Sequence, residues 1–341
     1  MLKNWVQIIC FAAGVNLLKR FVLLNIIIVL VITAWPFVSG ASEYCPVPGY
    51  SDNVTVEAAE AWLFDFINRM RMEPETALQE IGVNGTITVQ DGTRMVCSCY
   101  GCFLMGNEMF PLARSAFLDE KAAAWAETMA STGSVFYVSP DGLSLTDFIR
   151  QSGYPASNSS QIVAGIMIND YKDPLTALSV LMQRMLVSPD GKAVPQVSMF
   201  TDPRFDAVGL AFRPAVLTLP DGTGVGAYLL VIVLEHPLSA FQGRVVQCGH
   251  VYQDTDQNGV KNQGEGISCM AILDGQDGTV VARTYSRGRF CIERPVAAGE
   301  WAWHFSPGFQ VDETVPFQPV SVVDGALKQD IAVKWVLNNQ Q

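Results

Sequence analysis

The feature that most constrains the fold is a change in hydrophobic period near residue 240. Before it, apolar residues recur three and four positions apart, as in Trp62, Leu63 and Phe66, which predicts amphipathic helices. After Gly243 the helical period disappears, and short apolar runs alternate with Gly, Pro and Asp turns, which indicates strands. With 341 residues, the chain also exceeds the usual size of one domain. The sequence therefore predicts two domains with a boundary at 237–243.

The first domain, residues 56–237, is predicted to combine helices with an antiparallel hairpin. Thr55 can cap a first helix, and a second helix ends near Gly133. A third helix covers 174–186, with Asp173 as its cap and a proline at its first position. Two apolar runs joined through Pro-Asp-Gly at 220–222 are typical of a long hairpin. This alternation favours an α+β fold, an α/β/α sandwich in which helices cover a sheet.

The second domain, residues 243–335, is predicted to be an all-β sandwich. Six or seven short strands in about ninety-five residues, separated by turn residues, are typical of such a fold. The strands predicted in the two domains are Val208–Phe212, Tyr228–Leu234, Arg244–Tyr252, Ser268–Leu273, Thr279–Thr284, Arg289–Ile292, Trp301–Phe305 and Gln329–Val333.

The first forty residues are typical of an export signal. Lys19 and Arg20 precede an apolar run at 21–38, and small residues at 39–41 suit a cleavage site. The run is also long enough to cross a bilayer, so an uncleaved membrane anchor is the alternative. Residues 41–55 form a polar lead-in. We expect a secreted or cell-surface protein that contacts a membrane only through the N-terminal segment, if that segment is retained.

The cysteines indicate an oxidising compartment and disulfide bonds. Of eight cysteines, seven follow the signal segment, so at least one thiol is free or pairs between chains. Cys269 and Cys291 lie on predicted strands and are expected to form a bridge, which leaves Cys248 unassigned. Four others could bind zinc, but an exported chain favours disulfides, so no zinc is expected. These four are Cys45, Cys97, Cys99 and Cys102.

The sequence carries no recognisable catalytic motif. It lacks the Gly-x-Ser-x-Gly, His-Glu-x-x-His, P-loop and dinucleotide-binding signatures. The histidines are His236, His250 and His304, and His236 is interpreted as a domain-junction residue. The net charge of −11 disfavours contact with phosphate backbones, so no nucleic acid partner is expected. These features favour a binding protein over an enzyme without deciding between them.

One segment has the spacing of a calcium-binding loop. Oxygen-bearing residues occupy the key positions of a twelve-residue loop, and Gly259 permits the sharp turn in its middle. The flanking segments are predicted to be strands rather than helices, so an EF-hand is not expected. A solvated acidic turn without an ion is the alternative. The predicted ligands of a structural calcium ion are Asp254, Asp256, Asn258, the carbonyl of Val260, Asn262 and Glu265.

A series of short motifs follows in order through the first domain. The motifs are Phe66–Arg71 with Pro74, Pro111–Leu112 with Leu118 and 122–129, Phe136 with Pro140–Gly142, Phe148–Arg150, Gly153–Tyr154, Asp202–Phe205 and Val208–Leu210. In this order they resemble the CAP superfamily in its bacterial SCP-domain form. The resemblance implies an α/β/α sandwich with a central cleft.

In many members of that family, two histidines and one or two acids line the cleft and can hold a divalent metal. The position of the first histidine falls on Tyr137, and the Gly-Glu-Asn signature falls on Ser159-Ser160-Gln161. The second histidine falls near Gln196. The resemblance therefore implies a degenerate CAP cleft that lacks the metal site.

The second domain shows its own series of motifs, which surround the predicted calcium loop. They are Gly249, Val251–Tyr252, Gly259–Val260, Gly264–Ile267, Gly288–Ile292 and Asp330–Val333. The series resembles the B-type domains of serine-aspartate repeat surface adhesins. It implies an Ig-like or prealbumin-like sandwich with calcium, on a bacterial cell surface.

These observations predict an exported, non-enzymatic binding or scaffold protein with a degenerate CAP domain and a calcium-stabilised sandwich of adhesin type. The expected partner is an extracellular protein, a glycan or an apolar ligand. The alternative is a cell-surface hydrolase or an apolar-ligand-binding CAP protein that uses cleft residues which the sequence does not identify.

Overall fold

The computed structural model describes residues 54–73, 77, 80–81, 85–90, 93–98, 101–105, 109–168, 173–186, 199–273, 280–296, 304–305, 309–311, 321–323 and 326–335. The chain divides into two compact units, Met1–Ser42 and Glu43–Gln341, and every described residue belongs to the second. The predicted signal segment lies outside the described residues. No helix in the described part is both long enough and apolar enough to span a bilayer.

The described elements confirm the α+β class. The helices whose full length is described are α1 (Val56–Met72), α2 (Ala116–Thr132), α3 (Leu145–Gln151) and α4 (Pro174–Leu186), and a 3₁₀ turn lies at Ser286–Gly288. The strands before residue 240 are β1 (Gly85–Gln90), β2 (Thr93–Ser98), β3 (Gly101–Met105), β4 (Ala113–Arg114), β5 (Ala156–Met167), β6 (Ala207–Thr218) and β7 (Gly224–Pro237). The later strands are β8 (Arg244–Tyr252), β9 (Ala271–Leu273), β10 (Val280–Arg283), β11 (Arg289–Pro295), β12 (His304–Phe305), β13 (Phe309–Val311), β14 (Ser321–Val323), β15 (Ala326–Lys328) and β16 (Ile331–Trp335).

Three of the helices were predicted from the sequence, and local caps define their ends. Thr55 accepts a hydrogen bond from the Ala58 N–H at the start of α1. Gly133, with a φ of 67°, ends α2 in the left-handed conformation that glycine favours. Asp173 accepts from the Thr176 N–H at 2.7 Å at the start of α4. The short helix α3 was not predicted.

The N-terminal region, residues 54–237, is built on a four-stranded sheet with the order β4-β6-β7-β5. β6 and β7 form the predicted antiparallel hairpin, and the Leu219 N–H donates to the Thr223 carbonyl at 2.8 Å across its turn. β5 pairs antiparallel with β7, and β4 pairs parallel with β6. A separate antiparallel sheet has the order β1-β2-β3.

Helices cover both faces of the four-stranded sheet. Alternate residues of a strand face opposite sides, so Leu230 and Ile232 pack with α1 and α4 while Leu229 and Val231 pack with α2 and α3. Gly209 allows α2 to approach β6 closely, because a Cβ atom there would lie 2.3 Å from the backbone carbonyl carbon of Leu118. The N-terminal region therefore has three layers, helix, sheet and helix.

Two buried polar residues tie α1 to distant loops. Asn68 pairs with both backbone groups of Leu112, at 2.7 Å and 3.2 Å. Arg71 is buried and donates to four backbone carbonyls at 2.7 to 3.0 Å, which belong to Phe110, Phe200, Asp202 and Phe205. Burial lowers the pKa of Arg71 to about 10. The helix thus holds the start of the β6–β7 hairpin through its arginine.

The C-terminal region, from residue 244, contains two further sheets. One has the order β13-β16-β8-β15-β14, with β11 also paired to β8, and the other has the order β10-β9-β12. β8 has the predicted bounds and the other predicted strands are found with shifted ends, whereas β13, β14 and β15 were not predicted. One hydrophobic cluster contains residues of both sheets, namely Val251, Met270, Ile272, Phe290, Ile292, Phe305, Ile331 and Val333.

A tight turn connects the two regions. Gln242 and Gly243 both have positive φ, and Phe241 and Arg244 exchange two backbone hydrogen bonds at 2.8 Å and 2.9 Å. One hydrophobic cluster contains residues of α2 together with Val246, Cys248 and Cys291. The division into two domains stays a prediction, because described residues on both sides of the turn share this cluster.

The disulfide bond differs from the predicted one. Cys248 is bonded to Cys291, and their Cα atoms are 4.1 Å apart. The two residues lie directly opposite each other in the antiparallel β8–β11 pair. The predicted Cys269–Cys291 bridge is therefore wrong, although Cys269 is itself disulfide-bonded. The prediction failed because the register of the strands decides which cysteines face each other, and spacing does not reveal it.

Candidate metal centre

The predicted calcium loop begins directly after β8 and is closed at its base by backbone hydrogen bonds. The Gln253 N–H donates to the Glu265 carbonyl at 3.0 Å, and the Ile267 N–H donates to the Val251 carbonyl at 2.9 Å. Neither described flank is helical. β8 confirms the strand predicted before the loop, whereas the strand after it begins only at Ala271.

Three carboxylates converge inside this loop. Asp254, Asp256 and Glu265 each offer one oxygen, and these oxygens lie within 4.8 Å of one another. They are the one such group of three or more His, Cys, Asp or Glu side chains found in the described part of the chain. Like charges at this distance repel, so the arrangement favours a bound cation.

Nearby N–H groups hold the two aspartates in place. Asp254 accepts from the backbone N–H groups of Asn258 at 3.1 Å and Gly259 at 2.8 Å. Asp256 accepts from the side-chain amides of Asn258 and Asn262, each at 2.9 Å. Gly259 has a φ of +75°, so it supplies the turn that the sequence predicted. The loop therefore directs both carboxylates inward through local contacts.

Glu265 joins the two halves of the loop. Its carboxylate accepts from the Asn262 N–H at 2.7 Å and from the N–H and hydroxyl of Thr255 at 3.0 Å and 2.8 Å. These bonds, first the one from Asn262 and then the one from Thr255, lower the pKa of Glu265. Its side chain is largely covered, with 7% of the residue exposed.

The other three predicted ligands, the amides of Asn258 and Asn262 and the backbone carbonyl of Val260, lie in the same loop. Asn258 Oδ1 accepts from the Val260 N–H at 2.7 Å. Asn258 and Asn262 each place an amide nitrogen, not the amide oxygen, against Asp256. The structure therefore brings the three predicted carboxylates together. It turns the amide nitrogens of Asn258 and Asn262, rather than their amide oxygens, towards Asp256.

The donor chemistry fits calcium. Hard cations such as Ca²⁺ take six to eight oxygen ligands, mostly carboxylates, carbonyls and water. Every predicted ligand in this loop offers oxygen, and none offers sulfur or imidazole. Tyr252 steadies the loop from β8, since its hydroxyl donates to the Gly259 carbonyl at 3.4 Å.

The cleft positions implied by the CAP resemblance are only partly described. Tyr137 is 44% exposed, and its carbonyl accepts from Gln161 Nε2 at 3.3 Å. Ser159 lies on β5, and its hydroxyl donates to Glu235 at 2.5 Å. The segment around Gln196 lies outside the described residues.

The two histidines with described side chains each pair with an aspartate. His236 Nδ1 lies 2.7 Å from Asp206 Oδ2, and His250 Nδ1 lies 2.8 Å from Asp330 Oδ1. Lys328 Nζ also approaches Asp206, at 3.8 Å. His236 therefore lies where the two regions meet, which agrees with its interpretation as a junction residue.

Glu235 was not among the site residues predicted from the sequence. This residue is fully buried near the end of β7, and burial raises its pKa to about 7, against the lowering effects of Ser159 and Arg150. The signal was present in the sequence, because Glu235 is an acid that directly follows the apolar run Tyr228–Leu234. An acid in such a run is unusual and points to a special environment.

No protein-family model matches the chain, and no curated protein sequence is similar to it. An outer surface protein from Borrelia burgdorferi is a similar solved structure, with 11% identity and a TM-score of 0.30, over 55% of this chain and 99% of that one. An extracellular protein containing an SCP domain from Bacillus anthracis strain Ames has 9% identity and a TM-score of 0.25, over 57% of this chain and 75% of that one. These TM-scores are too low to assign a function to this chain.

Proposed function

We propose that the chain is an exported binding or scaffold protein without enzymatic activity, whose C-terminal region is stabilised by one Ca²⁺ ion in the loop 254–265. The observation that carries the proposal is the convergence of Asp254, Asp256 and Glu265, whose carboxylate oxygens lie within 4.8 Å of one another. A secreted or cell-surface location is supported by the signal-like residues 1–40 and by the Cys248–Cys291 disulfide.

The proposed ion acts on stability rather than on chemistry. Asp254 opens the loop and Glu265 closes it, so one ion bound to both would connect the two ends of the segment. It would also relieve the repulsion between the carboxylates. Since an ion that binds only the folded state stabilises it by mass action, calcium should raise the free energy of unfolding. The proposed ligands are Asp254, Asp256, Asn258, the Val260 carbonyl, Asn262 and Glu265.

The N-terminal region would supply the binding surface. The CAP resemblance places the cleft at Tyr137 and 159–161, where phenol, hydroxyl and amide groups stand in place of the family's first histidine and its Gly-Glu-Asn signature. Such groups suit an extracellular protein, a glycan or an apolar ligand better than a divalent metal. The proposed domains are a CAP-like unit at 56–237 and a B-type, Ig-like or prealbumin-like sandwich at 243–335.

A cell-surface hydrolase is the second candidate, and the His236–Asp206 pair favours it. A carboxylate on Nδ1 orients an imidazole for proton transfer through Nε2. Catalysis by this pair would also need a nucleophile, and no hydrogen bond from a hydroxyl or thiol of the described residues reaches the His236 ring. The binding function is therefore the better supported one.

Thermal unfolding of the full chain in calcium and in chelator tests the proposed site. Extracellular calcium modules bind with Kd values of about 10⁻⁴ to 10⁻³ M. At roughly 10 mM calcium the stabilisation is then about 1.4 to 2.7 kcal/mol, which corresponds to a rise in Tm of several degrees. Asp256→Asn should remove most of this rise, because it removes one of the three converging charges.

Asp221→Asn is the matched control. Asp221 lies in the exposed β6–β7 turn, and asparagine can keep its hydrogen bond with the Thr223 N–H. This variant should respond to calcium as the unmodified chain does. A Tm of the unmodified chain that is the same in calcium and in chelator would contradict the calcium site.

A further inference from the structure

Glu235 carries a carboxyl group inside the four-stranded sheet, next to the end of β7. The residue is 0% exposed. The Ser159 hydroxyl donates to Oε2 at 2.5 Å, whereas Oε1 is buried and has no hydrogen-bond partner in the described structure. A buried carboxylate oxygen without a hydrogen-bond donor is unfavourable, so we expect a proton or another donor at Glu235 Oε1.

Gln161 presents a second buried oxygen of the same kind. Its Nε2 donates to the Tyr137 carbonyl at 3.3 Å, and its Oε1 is buried without a partner among the described residues. Ser159 and Gln161 are two positions apart on β5 and share a face, and Ser159 lies opposite Glu235 in the β5–β7 register. Glu235 and Gln161 are therefore diagonal neighbours on one face, a separation that long side chains can bridge.

One proton satisfies both oxygens. A neutral carboxylic acid carries one O–H donor and keeps its acceptor capacity. With a proton on Oε1, Glu235 would present a donor on the face that carries Gln161 Oε1 and would still accept from Ser159 through Oε2. An ionised Glu235 has no donor to offer, and both oxygens remain unpaired.

No described cation neutralises Glu235 by direct contact. Arg150 of α3 attracts the carboxylate, but no ion pair joins the two side chains in the described residues. Glu293 lies on the same side of the sheet and adds further negative charge. Burial raises the pKa of Tyr154, and the charges of Glu293 and Glu235 raise it further. The remaining charged groups near this end of the sheet are Arg244, which pairs with Glu293, and Asp206, His236 and Lys328 on the opposite face.

We propose that Glu235 is a proton-binding site that holds β5 against β7 in its neutral form and weakens this pairing when it ionises. The acid bridges Ser159 and Gln161, the two residues of β5 that face it. Ionisation leaves a charge among apolar neighbours, and water must enter between the strands to solvate it. Glu235 thus contributes more stability in a weakly acidic medium than in an alkaline one, whether or not the loop 254–265 holds calcium.

The direction in which pH changes stability follows from the direction in which folding shifts the pKa of Glu235. The pKa of Glu235 is about 7 in the fold, against 4.5 for an ordinary glutamate. A group whose pKa is raised by folding contributes stability that is fully present below its unfolded pKa and is lost as the pH rises through its folded pKa. The loss therefore extends over about pH 4.5 to 7.

The test compares Glu235→Gln with the unmodified full chain by urea unfolding at about pH 5 and about pH 8.5. Glutamine reproduces the donor and acceptor of the neutral acid but cannot ionise. Between these pH values, the unfolding constant of the unmodified chain should rise on the order of a hundredfold relative to that of the variant. Equal pH profiles for the two chains would overturn the proposal.

Glu120→Gln is the matched control, because Glu120 lies on α2 with 71% of its side chain exposed. It should leave the pH profile unchanged. Infrared spectroscopy of the unmodified chain gives a readout that needs no variant. A carbonyl band of a protonated carboxylic acid should persist at about pH 6 and disappear by about pH 8.5, and its absence at about pH 6 would overturn the proposal.

Discussion

The N-terminal and C-terminal regions of the described structure are stabilised in different ways. In the N-terminal region, two large hydrophobic clusters cover the two faces of the four-stranded sheet. The cluster between the C-terminal sheets is much smaller among the described residues, and this region carries the Cys248–Cys291 bridge and the carboxylate loop. Because small cores supply little stability, such folds need covalent or metal links. We therefore expect the first region to depend mainly on packing and the second to depend more on its links.

The two regions also differ in how their charged side chains are neutralised or hydrogen-bonded. Arg71 is buried in the N-terminal region, where backbone carbonyls satisfy it, and Glu235 is buried where a proton can neutralise it. In the C-terminal loop, Asp256 is exposed and Asp254 is partly exposed, so an ion from solution can reach the carboxylates there even though Glu265 is covered. Buried charge must therefore be satisfied by groups of the chain or by a proton, whereas surface charge can be satisfied from the medium.

The largest effect is expected from Arg71→Met, which tests the internal stabilisation of the N-terminal region. The substitution leaves two buried and two partly buried carbonyls without their donor and should lower the free energy of unfolding by roughly 3 to 5 kcal/mol. Urea denaturation measures this loss. Arg204→Met is the control, because Arg204 is exposed and its ion pair with Asp202 contributes little to stability. If the two variants lost similar amounts of unfolding free energy, the buried hydrogen bonds of Arg71 would not stabilise the N-terminal region as proposed.

A somewhat smaller effect is expected from the double substitution Cys248→Ala and Cys291→Ala, which tests the role of links. The bridge closes a loop across 43 positions of sequence, so its removal should lower the free energy of unfolding by roughly 2 to 4 kcal/mol. Hydrogen exchange should show the loss in β8 and β11 and leave β6 and β7 protected. Equal loss of protection in β6 and β7 would mean that the two regions unfold together and that the contrast between them is wrong.

Direct contacts join the two regions, so they could also unfold together. Ser115 donates to Glu293 at 2.6 Å, and Arg289 donates to the Met109 carbonyl at 2.8 Å. Cys248 and Cys291 also belong to the cluster that contains α2. The exchange pattern therefore measures how far these contacts couple the small core to the large one.

The sequence predicted those features whose causes are local. The loop could be recognised because its carboxylates and the N–H groups that orient them lie within twelve residues. Helices α1, α2 and α4 could be predicted from apolar period and caps. By contrast, β5 begins with the polar residues 157–161, whose character conceals a strand that pairs with β7.

The missed features depend on contacts between distant positions. Arg71 bonds to carbonyls 39 to 134 positions away, which no local pattern reveals. The Cys248–Cys291 pair follows from the register of β8 against β11, and the partners of Glu235 follow from the register of β5 against β7. Strand register depends on the assembled sheet, so one sequence without an assembled fold could not supply it.

The smallest effect on stability is expected from substitutions in the loop 254–265. Glu265→Gln and Asp256→Asn test whether a bound ion connects the two ends of this loop. Each variant removes one charge from the cluster and should weaken calcium binding about tenfold or more. Calorimetric titration of the full chain with calcium measures this change. In chelator the two variants should differ, because Glu265 is covered and joins Thr255 to Asn262, whereas Asp256 is exposed.

Glu265→Gln should therefore lower the Tm in chelator, since glutamine keeps only one acceptor oxygen for donors that now share a carboxylate. Asp256→Asn should leave the Tm in chelator unchanged or raise it slightly, because it relieves repulsion with the two neighbouring acids. If both variants bound calcium as tightly as the unmodified chain, the loop would be held by its own hydrogen bonds alone. The C-terminal region would then rest on its disulfide and its small core, without an ion.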